Sequence, residues 1–167
     1  YTFSAGTLAA NYAVTTVDGT LTVTNNTTAV TITADSDTWT YDGAAHSKQT
    51  ATATGLPAGH TVAITSTSAI TDAGSTANTI ATYTIYDANN IDVTAYFTNV
   101  ATVAGTLTVT PVALTITAAS DSKAYDGVAL TNNNYTLTSG AFVAGQGFAT
   151  VTVNGSQLVV GSSANTL

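Results

Sequence analysis

The residues best suited to chemistry in this 167-residue chain are aspartates, which account for all nine of its acidic residues. Asp35 and Asp37 lie close together in the first half, and Asp87 and Asp92 border a pair of asparagines further on. Several carboxylates in one loop are typical of a Ca²⁺ site, which takes roughly six to eight oxygen ligands. These four residues are therefore candidate calcium ligands. The alternative, which we favour, is that they cap solvated turns.

The sequence offers little to catalysis. Cysteine is absent, which removes disulfides, thiol nucleophiles and thiolate metal sites. His46 and His60 lie outside any nucleophile motif and without a second histidine at metal-ligand spacing. Lys48 and Lys123 are the only basic residues, and they fall at different places in the internal repeat described below, so an isopeptide bond in every unit is not expected. We predict no catalytic residue, no cofactor apart from the calcium candidate, and no enzymatic activity.

A Tyr-Asp-Gly motif occurs twice, as Tyr41, Asp42 and Gly43 and again as Tyr125, Asp126 and Gly127. We expect a structural turn in which glycine takes a positive φ and the aspartate caps the turn backbone. In the alternative interpretation the tyrosine rings are stacking platforms for a sugar. Trp39, the only tryptophan, is a candidate contact residue, although packing inside one domain is the interpretation that we favour.

The elements that carry these residues are predicted to be short β-strands. Threonine makes up more than a fifth of the chain, and residues 20–24 and 106–110 alternate Thr with Leu or Val. This period of two places the apolar side chains on one face of a half-buried antiparallel strand. The same alternation marks residues 30–33, 62–65, 135–138 and 149–153, and Asp-Gly, Asn-Gly and Pro-Ala-Gly sequences between the runs predict turns. The fold class is therefore predicted to be an all-β sandwich.

The charge balance excludes several classes of partner. The formal net charge is −7, and arginine is absent. Such a chain cannot neutralise phosphates, so we expect no nucleic-acid partner and no binding to an anionic membrane. No apolar run approaches the length of about 20 residues that crosses a bilayer, and no signal peptide is recognisable. Because the chain begins without Met, we expect a fragment or a processed chain.

An internal repeat organises the chain. Residues 29–43 match residues 113–127 at ten of fifteen positions, at an offset of 84. The hexapeptide Gly-Thr-Leu-Thr-Val-Thr occurs at residues 19–24 and 105–110, and residues 74–80 are echoed by residues 161–167. These matches predict tandem domains of about 84 residues each.

The phase of the repeat divides the chain into three segments. Residues 29–112 are predicted to be one complete repeat, and residues 113–167 are the N-terminal part of the next. Residues 1–28 are interpreted as the C-terminal part of a preceding repeat, or as the complement of residues 113–167 from a neighbouring chain. Incomplete sheets expose unpaired strand edges. We therefore expect either a long tandem array or subunits that complete one another end to end.

A family resemblance covers essentially the whole chain. Residues 29–34, the Tyr41-Asp42-Gly43 motif and residues 11–24 resemble the MBG and YDG repeat domains, mostly β and glycine-rich, of very large bacterial surface proteins. The resemblance implies tandem immunoglobulin-like β-sandwiches in an extracellular stalk or fibre, with no known catalytic role.

Two function classes follow from these observations. The first is a structural repeat module of an extracellular bacterial adhesin stalk or surface filament, in which strands are completed between domains or between subunits. Its partners are other copies of the same repeat, with any glycan or host-surface ligand bound elsewhere in a larger protein. The alternative is a carbohydrate-binding module of a cell-surface protein, with loop tyrosines, aspartates and Trp39 forming the site.

Overall fold

A computed structural model describes residues 1–167, and its regular structure is ten short β-strands with two single-turn 3₁₀ helices. The strands are β1 (Val30–Ala34), β2 (Asp37–Thr40), β3 (Ala51–Thr54), β4 (Thr61–Thr65), β5 (Gly74–Asn78), β6 (Thr82–Tyr86), β7 (Val100–Val103), β8 (Gly105–Thr110), β9 (Thr115–Ala118) and β10 (Tyr135–Ser139). The helices are Ala9–Asn11 and Thr94–Tyr96. The predicted all-β class is confirmed, and no helix is long and apolar enough to cross a membrane.

Strands β1 to β8 lie within residues 29–112, the central segment, and form three small sheets. The sheet orders are β3-β1-β7, β2-β8-β5 and β4-β6. The pairs β1/β7 and β2/β8 are parallel, and the other pairs are antiparallel. Since β1 leads into β2 and β7 leads into β8 within a few residues, the first and last stretches of the central segment run side by side in the same direction.

Alternation of side chains explains these strands. In β1 the side chains of Val30, Ile32 and Ala34 are buried while the intervening threonines stay partly exposed. In β8 the buried residues are Gly105, Leu107 and Val109. The strands predicted over residues 30–33, 62–65, 106–110 and 135–138 lie within β1, β4, β8 and β10.

The core lies in the central segment. Val30, Ile32, Ile85 and Phe97 form its buried cluster, and half-buried side chains of β3, β4, β6 and β7 pack against it. Of the 11 buried residues, only Val153 lies outside the central segment. Because burial of apolar surface is the main favourable term in folding, the stability of the chain is concentrated in the central segment.

Residues 1–28, the N-terminal segment, form no strand, so the strand predicted over residues 20–24 is wrong for the single chain. Leu21 and Val23 are fully exposed, and Val17 is 91% exposed. A strand needs a partner for its backbone groups and a surface for its apolar face. The fold begins at Asn26, which makes a parallel bridge to Phe97.

Residues 113–167, the C-terminal segment, reproduce part of the central sheets. β9 and β10 pair with Ile116 opposite Leu137, as β1 and β3 pair with Ile32 opposite Ala53. The strand predicted over residues 149–153 does not form, and only a bridge between Asn154 and Thr166 remains in that region. The apolar residues of β9 and its flank are half-buried where those of β1 are buried, because fewer layers cover them.

Candidate functional site: a groove in the C-terminal segment

A groove of about 770 Å³ crosses the C-terminal segment. Residues 118–125 line one side and residues 155–165 line the other, with Val128 and Leu130 between them in sequence. Residues 121–124 correspond to β2 at the repeat offset of 84, and residues 161–165 correspond to β5 at an offset of 87. The groove is therefore flanked by the counterparts of two strands of the central segment.

In the central segment a third strand lies between those two. β8 pairs with β2 on one edge and with β5 on the other. The side chains of Leu107 and Val109 on β8 are almost completely buried there. In the C-terminal segment no strand lies between residues 121–124 and residues 161–165. By the repeat alignment, the counterpart of β8 would lie between the two stretches that flank the groove.

Asn78 in the central segment and Asn165 in the C-terminal segment make equivalent pairs of hydrogen bonds. Asn78 Nδ2 donates to the carbonyl oxygens of Asp35 and Lys48, at 2.9 and 3.1 Å. Asn165 Nδ2 donates to the carbonyl oxygens of Ala119 and Asn132, at 2.8 and 2.9 Å. Each acceptor of the second pair lies 84 residues after its counterpart. The backbone segments beside the C-terminal groove are therefore joined by the same hydrogen bonds as the segments beside β8.

One polar atom distinguishes the two asparagines. The Ser66 hydroxyl donates to Asn78 Oδ1 at 2.7 Å. Asn165 Oδ1 is buried without a hydrogen-bond partner. The counterpart of Ser66 at the repeat offset of 87 is Val153, which has no hydroxyl to donate. The unpaired oxygen thus follows from one difference between the two copies.

The glycine at the start of β8 is required by close packing. A Cβ on Gly105 would collide with the carbonyl oxygens of Ala34 and Asp35. Gly19, its counterpart in the N-terminal segment, lies in open space. The positive-φ turns predicted at Gly19 and Gly155 are wrong, because neither residue adopts a positive φ. At this position of the repeat, glycine lets the strand approach a neighbouring backbone.

No family model matches the chain, and no curated protein or solved structure matches it either. The central segment can be compared with the C-terminal segment instead, because it contains the same repeated sequences. In the central segment, β8 lies between β2 and β5. This strand has the sequence Gly-Thr-Leu-Thr-Val-Thr, which the chain contains once more at residues 19–24.

Both Tyr-Asp-Gly motifs form tight turns of the same geometry. Gly43 and Gly127 have φ angles of 80° and 77°. The Asp42 carboxylate accepts the Ala44 N–H at 2.9 Å, and the Asp126 carboxylate accepts the Val128 N–H at 3.0 Å. The Ala44 N–H, together with the His46 ring, holds the pKa of Asp42 below its usual value. These carboxylates are occupied in capping their own turns.

The two turns differ in their surroundings. Gln146 Nε2 donates to the Tyr41 hydroxyl at 2.6 Å, and a Cβ on Gly43 would lie 3.0 Å from the Val143 side chain. The first turn therefore contacts the C-terminal segment. Tyr125 is 68% exposed, and Gly127 has open space beside it.

Trp39, Asp42 and His46 come together on the surface of the central segment. The Trp39 and His46 rings stack with centroids 4.8 Å apart and planes 12° apart. His46 Nε2 lies 2.9 Å from Asp42 Oδ1. One face of the indole is thus covered by a side chain of the same chain, which leaves less of Trp39 for stacking on a sugar.

The two lysines form exposed ion pairs with different partners. Lys48 Nζ lies 2.9 Å from Asp37 Oδ2, and this pair lowers the pKa of Asp37 and raises that of Lys48. Lys123 Nζ lies 2.8 Å from Asp126 Oδ1 and lowers the pKa of Asp126. Both pairs retain solvent access, so their charges are partly screened.

The four calcium candidates bind groups of the chain itself. Asp35 accepts the Thr50 hydroxyl at 2.6 Å, and Asp37 pairs with Lys48. Asp87 accepts the N–H groups of Asn89 and Ile91, and Asp92 accepts the Thr94 N–H. The Ile91 N–H lowers the pKa of Asp87, and the Thr94 hydroxyl and N–H lower the pKa of Asp92. No group of three or more His, Cys, Asp or Glu side chains is placed to hold a metal ion, and a calcium site stays a prediction.

Sequence reasoning did not single out Asn78 and Asn165, which hold the walls of the two sites. A signal existed, because an Ala-Asn-Thr sequence occurs in both copies of the repeat. It could not reveal that both amides donate to backbone oxygens far away in the sequence. The sequence favours a surface or turn position for His60, and its backbone N–H does donate to the Pro57 carbonyl oxygen in a turn. Its ring, however, packs edge-on against Phe97, and its Nδ1 is buried without a partner.

Proposed function

We propose that the chain is a structural repeat module of an extracellular bacterial adhesin stalk or surface filament, and that it has no enzymatic role. In this proposal its units are tandem immunoglobulin-like β-sandwiches of the MBG/YDG type, about 84 residues each. Neighbouring units complete one another's sheets, either along one chain or between subunits.

The observation that carries the proposal is the parallel pairing of the first and last strands of the central segment. Val30 at the start of β1 pairs with Val100 at the start of β7. Thr40 at the end of β2 pairs with Thr110 at the end of β8. The chain therefore enters the central segment at one end of the paired strands and leaves it at the other. Successive units can then be arranged in a line.

Parallel end strands also determine how tension acts on the unit. A force that pulls Val30 and Thr110 apart acts along the strands, so the hydrogen bonds between them are loaded together. Pulling two antiparallel neighbours apart at one end would instead break the bonds one after another. A unit that experiences shear in this way is suited to a stalk that holds a distant tip under load.

The surface chemistry agrees with an exposed filament. Exposed threonines alternate with the apolar residues of the strands and keep their outer faces polar. A net charge of −7 opposes lateral bundling of neighbouring filaments. The chain lacks cysteine and methionine, the two residues that oxidants attack most readily.

Single-molecule pulling in two geometries tests the proposal. The chain has no cysteine, so handles can be attached through Ala29→Cys and Ala113→Cys, at exposed positions that flank the central segment. This geometry should give one cooperative rupture that releases about 280–300 Å of chain. Handles at Thr40→Cys and Thr110→Cys, at the same end of the β2/β8 pair, should rupture at a clearly lower force.

Equal rupture forces in the two geometries, or gradual extension without a rupture, would overturn the mechanical role. Glycan-array binding that is lost in Trp39→Ala, with the fold intact, would instead favour the carbohydrate-binding module.

A further inference from the structure

We propose that the groove of the C-terminal segment is a strand-acceptor site and that its occupant is residues 19–24 of a second copy of this chain. The donor segment lies in register between residues 121–124 and residues 161–165 and completes a three-stranded sheet. This inference rests on the proposed function and names the partner of the incomplete unit.

The register follows from the filled groove of the central segment. There Leu107 lies opposite Asp37 on β2 and opposite Thr76 on β5. Transferred by the repeat offsets, Leu21 of the donor lies opposite Asp121 and Ser163. In the same way Val109 lies opposite Trp39 and Gly74, which places Val23 of the donor opposite Lys123 and Gly161.

The chemistry of the donor segment matches that of β8. Both have the sequence Gly-Thr-Leu-Thr-Val-Thr. Leu107 and Val109 are 0% and 1% exposed, whereas Leu21 and Val23 are fully exposed in the single chain. Inserting the two donor side chains would remove their exposed apolar surface from water, which favours association. The backbone groups of the donor would also gain ladder partners on both sides, which is the recognition mode of strand addition.

Gly19 of the donor would lie against the backbone of Ala118 and Ala119 in the groove. In the central segment Gly105 packs against the carbonyl oxygens of Ala34 and Asp35. The counterparts of those oxygens belong to Ala118 and Ala119, which line the groove. Only a strand that begins with glycine approaches this backbone closely, and residues 19–24 are the remaining segment of the chain with that sequence.

Geometry excludes residues 19–24 of the same chain as the donor. Asn26 is held beside Tyr96 and Thr98 by backbone hydrogen bonds. The C-terminal segment follows Thr110 at the other end of the parallel strands and contacts Tyr41 there. Twelve residues lead from Thr98 to Thr110 through β7 and β8, a span of up to about 40 Å in extended chain. Thr24 lies only two residues before Asn26, a reach of about 7 Å, so residues 19–24 can fill the groove only from another copy.

The resulting contact is head to tail and does not close on itself. Each copy has a donor at its N-terminal end and an acceptor at its C-terminal end, on opposite ends of the central segment. A heterologous contact of this kind continues into an open fibre unless its rotation closes a ring. The acceptor and donor thus define an axis of polymerisation that lies along the parallel strands.

Disulfide trapping between two single-cysteine variants tests the register. In the filled groove Ser75 Oγ and Thr108 Oγ1 are 3.1 Å apart on directly opposed residues. Their counterparts are Ser162 of the acceptor and Thr22 of the donor. A mixture of Ser162→Cys and Thr22→Cys chains should form a mixed disulfide dimer on mild oxidation, identified by its intact mass.

Two matched mixtures serve as controls. Thr20→Cys with Ser162→Cys places the sulfurs one side-chain repeat out of register and should give at least tenfold less mixed dimer. Thr22→Cys with Ser75→Cys probes the filled groove, where β8 already occupies the site, and should give equally little. Adding Gly19→Ala to the Thr22→Cys chain should reduce trapping about tenfold, because the added methyl group meets the groove backbone. Gly19 is unobstructed in the single chain, so its fold is not disturbed.

Absence of mixed dimer at the highest soluble concentration, or equal trapping with Thr20→Cys, would overturn the strand-acceptor site. The pulling experiment reads out a property of the central segment alone. A high rupture force without trapping would therefore refute strand exchange and leave the structural module in place. Trapping without a shear-resistant rupture would retain the acceptor site and refute the mechanical role.

Discussion

Asn78 is a fully buried polar side chain whose amide connects three separate parts of the central segment. Its nitrogen donates to two backbone oxygens, and its oxygen accepts the Ser66 hydroxyl. Buried polar groups that lose a partner cost about 1–3 kcal/mol each. We expect Asn78→Ala to destabilise the central segment by at least that amount. Urea unfolding followed by Trp39 fluorescence measures the change, with the exposed Asn25→Ala as the control.

The Asp37–Lys48 ion pair gives stability a defined pH dependence. The pair holds the pKa of Asp37 below 3.8, so its contribution is complete above that pH and is lost as the pH falls through the lower folded value. It raises the pKa of Lys48 above 10.5, so that contribution is present below 10.5 and is lost as the pH rises through the higher folded value.

We therefore expect the pair's contribution to be constant between about pH 5 and pH 9 and to decline outside that range. Urea unfolding of the wild-type chain and of Asp37→Asn at pH 7 and at about pH 3 checks this. The two chains should differ more at pH 7 than at the acidic pH. A difference that stays constant, or that equals the effect of replacing the exposed Asp72, would contradict the assignment.

At the scale of the element, β1 and β9 show how one sequence behaves with and without its partners. Both contain the sequence Thr-Ile-Thr-Ala, yet Ile32 is fully buried and Ile116 is half-buried. Ile32→Ala should cost about 2–5 kcal/mol. Ile116→Ala should cost only about 1–2 kcal/mol in the isolated chain. Native-state hydrogen exchange at the amides of β1 and β9 measures each effect locally, and equal costs would contradict the burial difference.

The sequence predicts which segments can form strands better than it predicts which of them find a partner strand. Period-two alternation identified β1, β4, β8 and β10, because each has a neighbour in the chain against which its apolar face packs. The same alternation at residues 20–24 predicted a strand that the single chain does not form. Period-two alternation indicates which face of a strand is apolar. It does not indicate whether a partner strand is present.

The glycines show a second limit of sequence reasoning. Asp42-Gly43 and Asp126-Gly127 form the turns that their residue types favour. Gly105 was grouped with the strand sequence, and its role became visible only from the backbone oxygens of Ala34 and Asp35 beside it. A glycine required by close approach and a glycine required by a positive φ cannot be told apart from sequence.

At the scale of the whole molecule, ten of the 11 buried residues and eight of the ten strands lie in the central segment. The hydrophobic cluster lies within the central segment, and Leu21 and Val23 of the N-terminal segment are fully exposed. The contact between Tyr41 and Gln146 joins the central and C-terminal segments at one junction. In the fibre that we propose, each intact central segment would alternate with a sheet shared between two copies.

The most direct measurement is hydrogen exchange by mass spectrometry across a range of protein concentrations. Strand sharing predicts that the amides of residues 19–24 gain protection as concentration rises, together with residues 121–124 and 161–165. The amides of β1 should stay equally protected throughout, because β1 is buried and paired within the central segment of each single chain. Rapid exchange at residues 19–24 at every concentration, with β1 still protected, would contradict the account.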